Sequence, residues 1–259
     1  MIKNRTYIIL LSCLAVFGIV MFLVFGVGNI KNGTYSSTII VGDSTIWSYN
    51  NKKWKNISYK SSIEKLNWDT YKVYSNNKLV GNYLMYYSDK WYVFDKKKNS
   101  IDIDGAMLAY KSNYKIDVLD FSYENIKADS YVNQVLSDNN ISLSSSFTSL
   151  NKTSVDFDND GYVEDFYLVS NAFPLDFDPE YIFSIAFMVK DKKIYYLYND
   201  ISKNTSFNGC KPYYNSFMDV NNDGVYEIIL SCGKYSASEQ VDMLYNYTDK
   251  GFKIIISNQ

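Results

Sequence analysis

Asp156-Phe157-Asp158-Asn159-Asp160-Gly161-Tyr162-Val163-Glu164 and Asp219-Val220-Asn221-Asn222-Asp223-Gly224-Val225-Tyr226-Glu227 follow one pattern, D-x-[D/N]-x-D-G-x-x-E, with starts 63 residues apart. The stretches after them, Phe166-Tyr167-Leu168-Val169-Ser170 and Ile228-Ile229-Leu230-Ser231, are short apolar runs rich in β-branched and aromatic residues. Such runs read as strands. The C-terminal half is therefore an internal repeat of strand, acidic loop and strand, which places it in the all-β class.

Side-chain oxygens at loop positions 1, 3 and 5, a Gly for the sharp turn at 6 and a backbone carbonyl at 7 can wrap one hard cation. A Glu at position 9 closes the cage. Four carboxylates in the first nine residues, with no Lys or Arg among them, repel one another unless a cation compensates. Calcium suits the set because it accepts six to eight oxygens in flexible geometry. The first loop, with four carboxylates against three in the second, is expected to bind more tightly. The metal-free alternative is a pair of Asp/Asn/Gly hairpin turns. An EF-hand is excluded, because its closing Glu belongs at position 12, where Tyr167 and Leu230 stand.

The loops resemble the FG-GAP type of calcium-binding repeat, found in β-propellers such as the integrin α-chain head and in bacterial surface proteins. Val189-Lys190-Asp191-Lys192-Lys193-Ile194-Tyr195-Tyr196-Leu197 also looks like Tyr247-Thr248-Asp249-Lys250-Gly251-Phe252-Lys253-Ile254-Ile255. The resemblance implies two four-stranded repeats over residues 150–259. It implies a cage of Asp156, Asp158, Asp160, the Tyr162 carbonyl and Glu164, and a second of Asp219, Asn221, Asp223, the Val225 carbonyl and Glu227. In this family the metal is structural and ligands bind elsewhere. The family's Gly-Ala-Pro segment is replaced by Ser170-Asn171-Ala172-Phe173-Pro174 and Ser231-Cys232-Gly233, and the chain is too short for seven blades. Cys210 and Cys232 flank the second loop, so folding back about it brings them together as a disulfide or as two buried thiols.

Upstream, residues 29–127 carry runs rich in Val, Ile, Tyr and Trp, such as Ser37–Val41, Thr45–Tyr49, Tyr71–Tyr74, Leu79–Tyr87 and Lys90–Phe94. Ser75–Asn77 and Ser88–Asp89 are turns between them, predicting an antiparallel β meander. Trp47, Trp54, Trp68 and Trp91 pack its core or offer a stacking platform for sugar rings. Ser100, Asp102, Asp104 and Gly105 sketch a third loop, but Leu108 stands at its closing position, so an ordinary Asp-Gly turn is the simpler reading. Residues 128–149 form one short helix, with Asp129 as N-cap and Tyr131, Val132, Val135 and Leu136 at helical spacing, followed by a Ser-rich connector.

Tyr7 to Gly28 is a run of 22 residues without a charge. As a helix it would be about 33 Å long, enough for roughly 30 Å of hydrocarbon. Lys3 and Arg5 precede it and Lys31 alone follows closely, so residues 1–6 are expected in the cytoplasm, 7–28 in the membrane and the rest outside. A cleaved signal peptide and lipidation at Cys13 are the alternatives.

The sequence contains no His, which excludes imidazole-based catalysis and most catalytic zinc sites. A net charge of −2 gives no basic field for nucleic acid. The expected function is that of a membrane-anchored, calcium-stabilised β module, not an enzyme, that binds an extracellular protein or glycan. The alternatives are a carboxylate-based glycan hydrolase using Asp176, Asp178 or Glu180, and a structural subunit of a membrane complex.

Overall fold

Strands β12 (Glu164–Ser170) and β16 (Glu227–Lys234), which leave the two acidic loops, are buried on both faces, and this decides the layering. Side chains alternate across a strand. Phe166 and Leu168 of β12 accordingly meet Ile228 and Leu230 of β16 in one core, whereas Tyr167 and Val169 face the opposite way, as does Ile229. That is why both stretches read as continuous apolar runs instead of alternating ones. A computed structural model describes residues 36–58, 60–105, 107–142, 147–172, 181–203, 210–234 and 240–258. The expected tail and membrane span (1–28), Cys13, Asp176, Asp178 and Glu180 lie outside them. Among the described residues no helix is long and apolar enough to cross a membrane.

The remaining elements are, in order, β1 (Ser36–Val41), β2 (Thr45–Asn50), β3 (Lys53–Asn56), α1 (Lys60–Glu64), β4 (Asp69–Ser75), β5 (Lys78–Tyr87), β6 (Trp91–Phe94), β7 (Ser100–Ile101), β8 (Met107–Ser112), β9 (Asp117–Val118), β10 (Glu124–Asn125), α2 (Ser130–Asp138) and β11 (Ser149–Val155). After β12 come β13 (Tyr181–Lys190), β14 (Lys193–Lys203) and β15 (Cys210–Asp219), and after β16 come β17 (Gln240–Thr248) and β18 (Gly251–Ser257). The protein is mainly β, and all the strand pairings described are antiparallel.

Three sheets result: β3-β2-β1-β8-β4-β5-β6-β7, then β10-β11-β12-β13-β14, then β18-β17-β16-β15-β9. The third lies in the middle. One of its faces meets the second sheet through Phe157, Phe166, Tyr214 and Phe217, and the other meets the first through Met218, Ile229 and Leu244 against Ile39, Trp47 and Leu108. Helix α2 covers the outer face of the second sheet with Val132, Val135 and Leu136, and Asp129 caps it by accepting from the Tyr131 and Val132 N–H groups. Helix α1 brings Ile63 to the far face of the first sheet.

Two details depart from the sequence reading. The N-terminal strands are not a simple meander, because β8 inserts between β1 and β4. Nor are the C-terminal sheets four-stranded units closed at residue 150. Each has a fifth, edge strand from residues 117–125, at the end of the expected β-rich region, β9 pairing with β15 and β10 with β11. Two-residue strands have no periodicity to betray them. Between them Phe121 packs edge-on against Phe217 at 4.9 Å, and the Tyr123 hydroxyl donates to the Tyr214 carbonyl at 2.8 Å. The described residues form one compact unit.

Phe217, fully buried at the centre of the interface between the second and third sheets, gives a direct test. Phe217→Ala should cost about 3–5 kcal/mol in urea unfolding, whereas Tyr162→Ala, at a side chain 76% exposed, should stay within about 0.5 kcal/mol.

Candidate metal centre

The two acidic loops occupy equivalent corners, one between β11 and β12 and the other between β15 and β16, and their backbones are near copies. Asp156 accepts from the Asp160 and Gly161 N–H groups, both at 3.1 Å, as Asp219 accepts from Asp223 and Gly224, both at 3.1 Å. Asp160 accepts from the Tyr162 N–H and Asp223 from the Val225 N–H, each at 2.9 Å. Gly161 and Gly224 hold φ of 88° and 87°, in the left-handed region that a side chain would strain. Glu164 and Glu227, the first residues of β12 and β16, reach back to accept from the Phe157 and Val220 N–H groups. Position 9 thus closes each loop onto the start of a core strand.

The loops differ in how their charge is met. In the first, the Lys190 ammonium, from the end of β13, lies 2.9 Å from Asp158 Oδ2, 2.7 Å from Asp160 Oδ2 and 2.8 Å from Glu164 Oε1. Sequence reading placed no base among these carboxylates, because Lys190 arrives from a strand 26 residues beyond Glu164. Burial alone would lower the Lys190 pKa, but the bonds from Asp160, Glu164 and Asp158 outweigh it and hold it above the usual lysine value. Lys190 also keeps Asp160 below the carboxylate range, whereas burial pushes Glu164 above it despite the same partner. One oxygen each from Asp156, Asp158 and Glu164 lies within 4.8 Å of the others, a set able to hold a metal ion.

The second loop has no such base: among the described residues no ion pair reaches Asp219, Asp223 or Glu227. Asn221 instead donates its amide to Glu227 Oε1 at 2.7 Å, and its own Oδ1 accepts from the Asp223 N–H at 2.8 Å. Burial pushes Asp219 up against three opposing loop N–H groups. Glu227 is 1% exposed, and burial, aided by the charges of Asp223 and Asp219, pushes it up to about 8.

The loops also touch. The Tyr226 N–H donates to the Phe157 carbonyl and the Asn159 amide to the Gly224 carbonyl, both at 2.8 Å, while the Tyr226 hydroxyl donates to Asp117 of β9 at 2.7 Å. Sequence reading missed Asn159, Tyr226 and Asp117, since contacts across two sheets leave no local signal.

Elsewhere, Cys210 and Cys232 are joined in a disulfide between β15 and β16, with Cα atoms 5.4 Å apart. Asp102 and Asp104 stay exposed near the Gly105 turn and gather no cage. Trp47 and Trp91 are core residues, Trp54 packs on Tyr49 at 4.9 Å, and Trp68 is 41% exposed with the Lys98 ammonium over its ring at 4.6 Å. A cleft of about 1310 Å³ opens between the first and third sheets, with Asp242 in its wall. Asp242 accepts from Thr45, Ser231 and Gln240, which ties the two sheets together. In comparisons with known proteins, no family, no curated protein and no solved structure matches the chain.

The Glu227 environment sets a pH dependence. With its folded value near 8 against an ordinary 4.5, the folded chain keeps a proton that the unfolded chain releases. In chelator, stability should therefore fall as pH rises from about 4.5 to about 8. Urea midpoints measured across that range should show the decline, and Glu227→Gln should flatten it; a slope unchanged by that substitution would contradict the assignment.

Proposed function

We propose that the described part of the chain is a calcium-stabilised β module, held outside the cell by the apolar segment 7–28, that binds an extracellular protein or glycan. One observation carries this reading. The second loop sets Asp219, Asp223 and the buried Glu227 around Asn221 at the entrance to a core strand without any basic partner among the described residues, although its carboxylates do not close to the spacing of the first loop's triad. Its donors are all oxygen, and with the Val225 carbonyl they fit a hard cation of flexible coordination. Calcium, when bound, would supply the positive charge that the loop lacks. The chain's own residues do the rest: Gly224 makes the turn, Asn221 orients Glu227, and Tyr226 braces the loop against Phe157 and Asp117.

The metal on this reading is structural, since the loops rigidify the corners of the paired sheets. Partner binding then falls to the outer surfaces, where the cleft walled by Asp43, Lys90, Tyr92, Asp102 and Asp242 offers polar groups for a glycan or a peptide. Oxygen-rich loops of this kind fill at the millimolar calcium of extracellular fluids, which agrees with the direction given by Lys3 and Arg5 before the apolar segment.

A ligand that binds only the folded state stabilises it by about 2.7 kcal/mol at a hundredfold excess over its Kd. For a chain of this size that is a rise in melting temperature of about 5–10 °C. Thermal unfolding of the full chain in mild detergent should show this rise in millimolar calcium relative to chelator, and Asp223→Ala should abolish it. No rise in the wild-type chain would overturn the calcium reading.

A further inference from the structure

The two loops diverge at one strand register. In the first repeat Phe166 pairs with Met188 and Asp165 with Val189, so the next step sets Lys190 opposite Glu164. In the second, Ile229 pairs with Leu244 and Ile228 with Tyr245, so the same step sets Asn246 opposite Glu227. The counterpart of Lys190 is therefore Asn246 and not Thr248, two residues from where sequence similarity put it. A cation on β13 is replaced by a neutral amide on β17.

We propose that Lys190 is the resident cation of the first loop, so that the chain takes up a single divalent ion, at the second. The proposal rests on the reading that the second loop binds calcium and reverses the order of affinity expected from carboxylate count. An ammonium has three donors and no acceptor, and Lys190 directs them to three separate carboxylates at 2.7–2.9 Å. Its side chain is 14% exposed and lies over the Phe157 ring at 5.7 Å, so its stem and its head are both seated. A calcium ion would need the same carboxylate groups of Asp158, Asp160 and Glu164 at 2.3–2.6 Å, and although Asp158 Oδ1 is buried without a hydrogen-bond partner, its other oxygen is already held by the ammonium. Both cations cannot share them, and entry of calcium would first break three charge-assisted hydrogen bonds. Asp156, Asp158 and Glu164 do converge as a metal would require, but two of the three already contact the ammonium.

The filled first loop also serves the second. Phe157 and Asn159, fixed around Lys190, present a carbonyl and an amide to Tyr226 and Gly224. The second loop is thus braced on one side before any metal arrives, which lowers the ordering cost of binding.

Calorimetric titration of the full chain in detergent with calcium alone decides the matter. The expected stoichiometry is one ion for wild type, one for Asp160→Ala, none for Asp223→Ala and none for Asn246→Lys, which installs an ammonium beside Glu227. Lys190→Met should bind two. A wild-type stoichiometry of two, or loss of the single site in Asp160→Ala but not in Asp223→Ala, would overturn the role of Lys190 and leave the calcium reading standing. No binding by wild type would overturn the calcium reading. In that case a new site in Lys190→Met would still uphold Lys190 as the cation of the first loop, and its absence would overturn that too. If Lys190→Met does not fold, the comparison of Asp160→Ala with Asp223→Ala carries the test alone.

Discussion

Carboxylates drawn together and removed from water need either a positive charge to face them or a proton to neutralise them, since the desolvation cost and the mutual repulsion act in the same direction. The two acidic corners meet that constraint at the most sensitive points of the fold. Glu164 and Glu227 are the first residues of β12 and β16, buried to 3% and 1% exposure, and the strands they begin are covered on both faces. Without its counter-charge, such a corner would pull the start of a core strand toward solvent. The layers of packed aromatic side chains, Phe157 on Phe166 and Phe166 on Phe217, begin directly behind it.

The same problem is solved twice in different ways. In the first repeat the cation is covalently part of the chain, on β13, and cannot be lost to a chelator. In the second an amide, Asn221, relieves part of the charge, burial raises the pKa of Glu227, and the proposed role of an ion from solution is to meet the remainder. Tyr226 and Asn159 bond the loops to one another, so the lysine-filled corner braces the second loop. The disulfide between Cys210 and Cys232 locks the opposite end of the same strand pair, β15 and β16.

The sequence made the β class and the two equivalent acidic loops legible because those features are local: a nine-residue motif, a glycine at position 6 and apolar runs of strand length. Asp129 and the spacing of Val132, Val135 and Leu136 announced α2 for the same reason. What stayed hidden depends on register and on contacts between sheets. Lys190 entered the sequence reading only as a member of the repeated stretch Val189–Leu197, and only its place opposite Glu164 makes it part of the loop. Strands β9 and β10, two residues each, show no alternation, yet they join residues 117–125 to both C-terminal sheets. Insertion of β8 between β1 and β4 is likewise a matter of pairing, which burial pattern alone does not specify.

Amide hydrogen exchange resolved by residue, in chelator and then in calcium, most directly tests whether the two corners draw on different cations. The Asp160 and Gly161 amides, bonded to Asp156 beside the lysine-filled cage, should remain protected in both conditions. The Asp223 and Gly224 amides, bonded to Asp219, should exchange quickly in chelator and become protected in calcium. Loss of protection at both loops in chelator, or no response at either, would contradict the division of roles between Lys190 and an external ion.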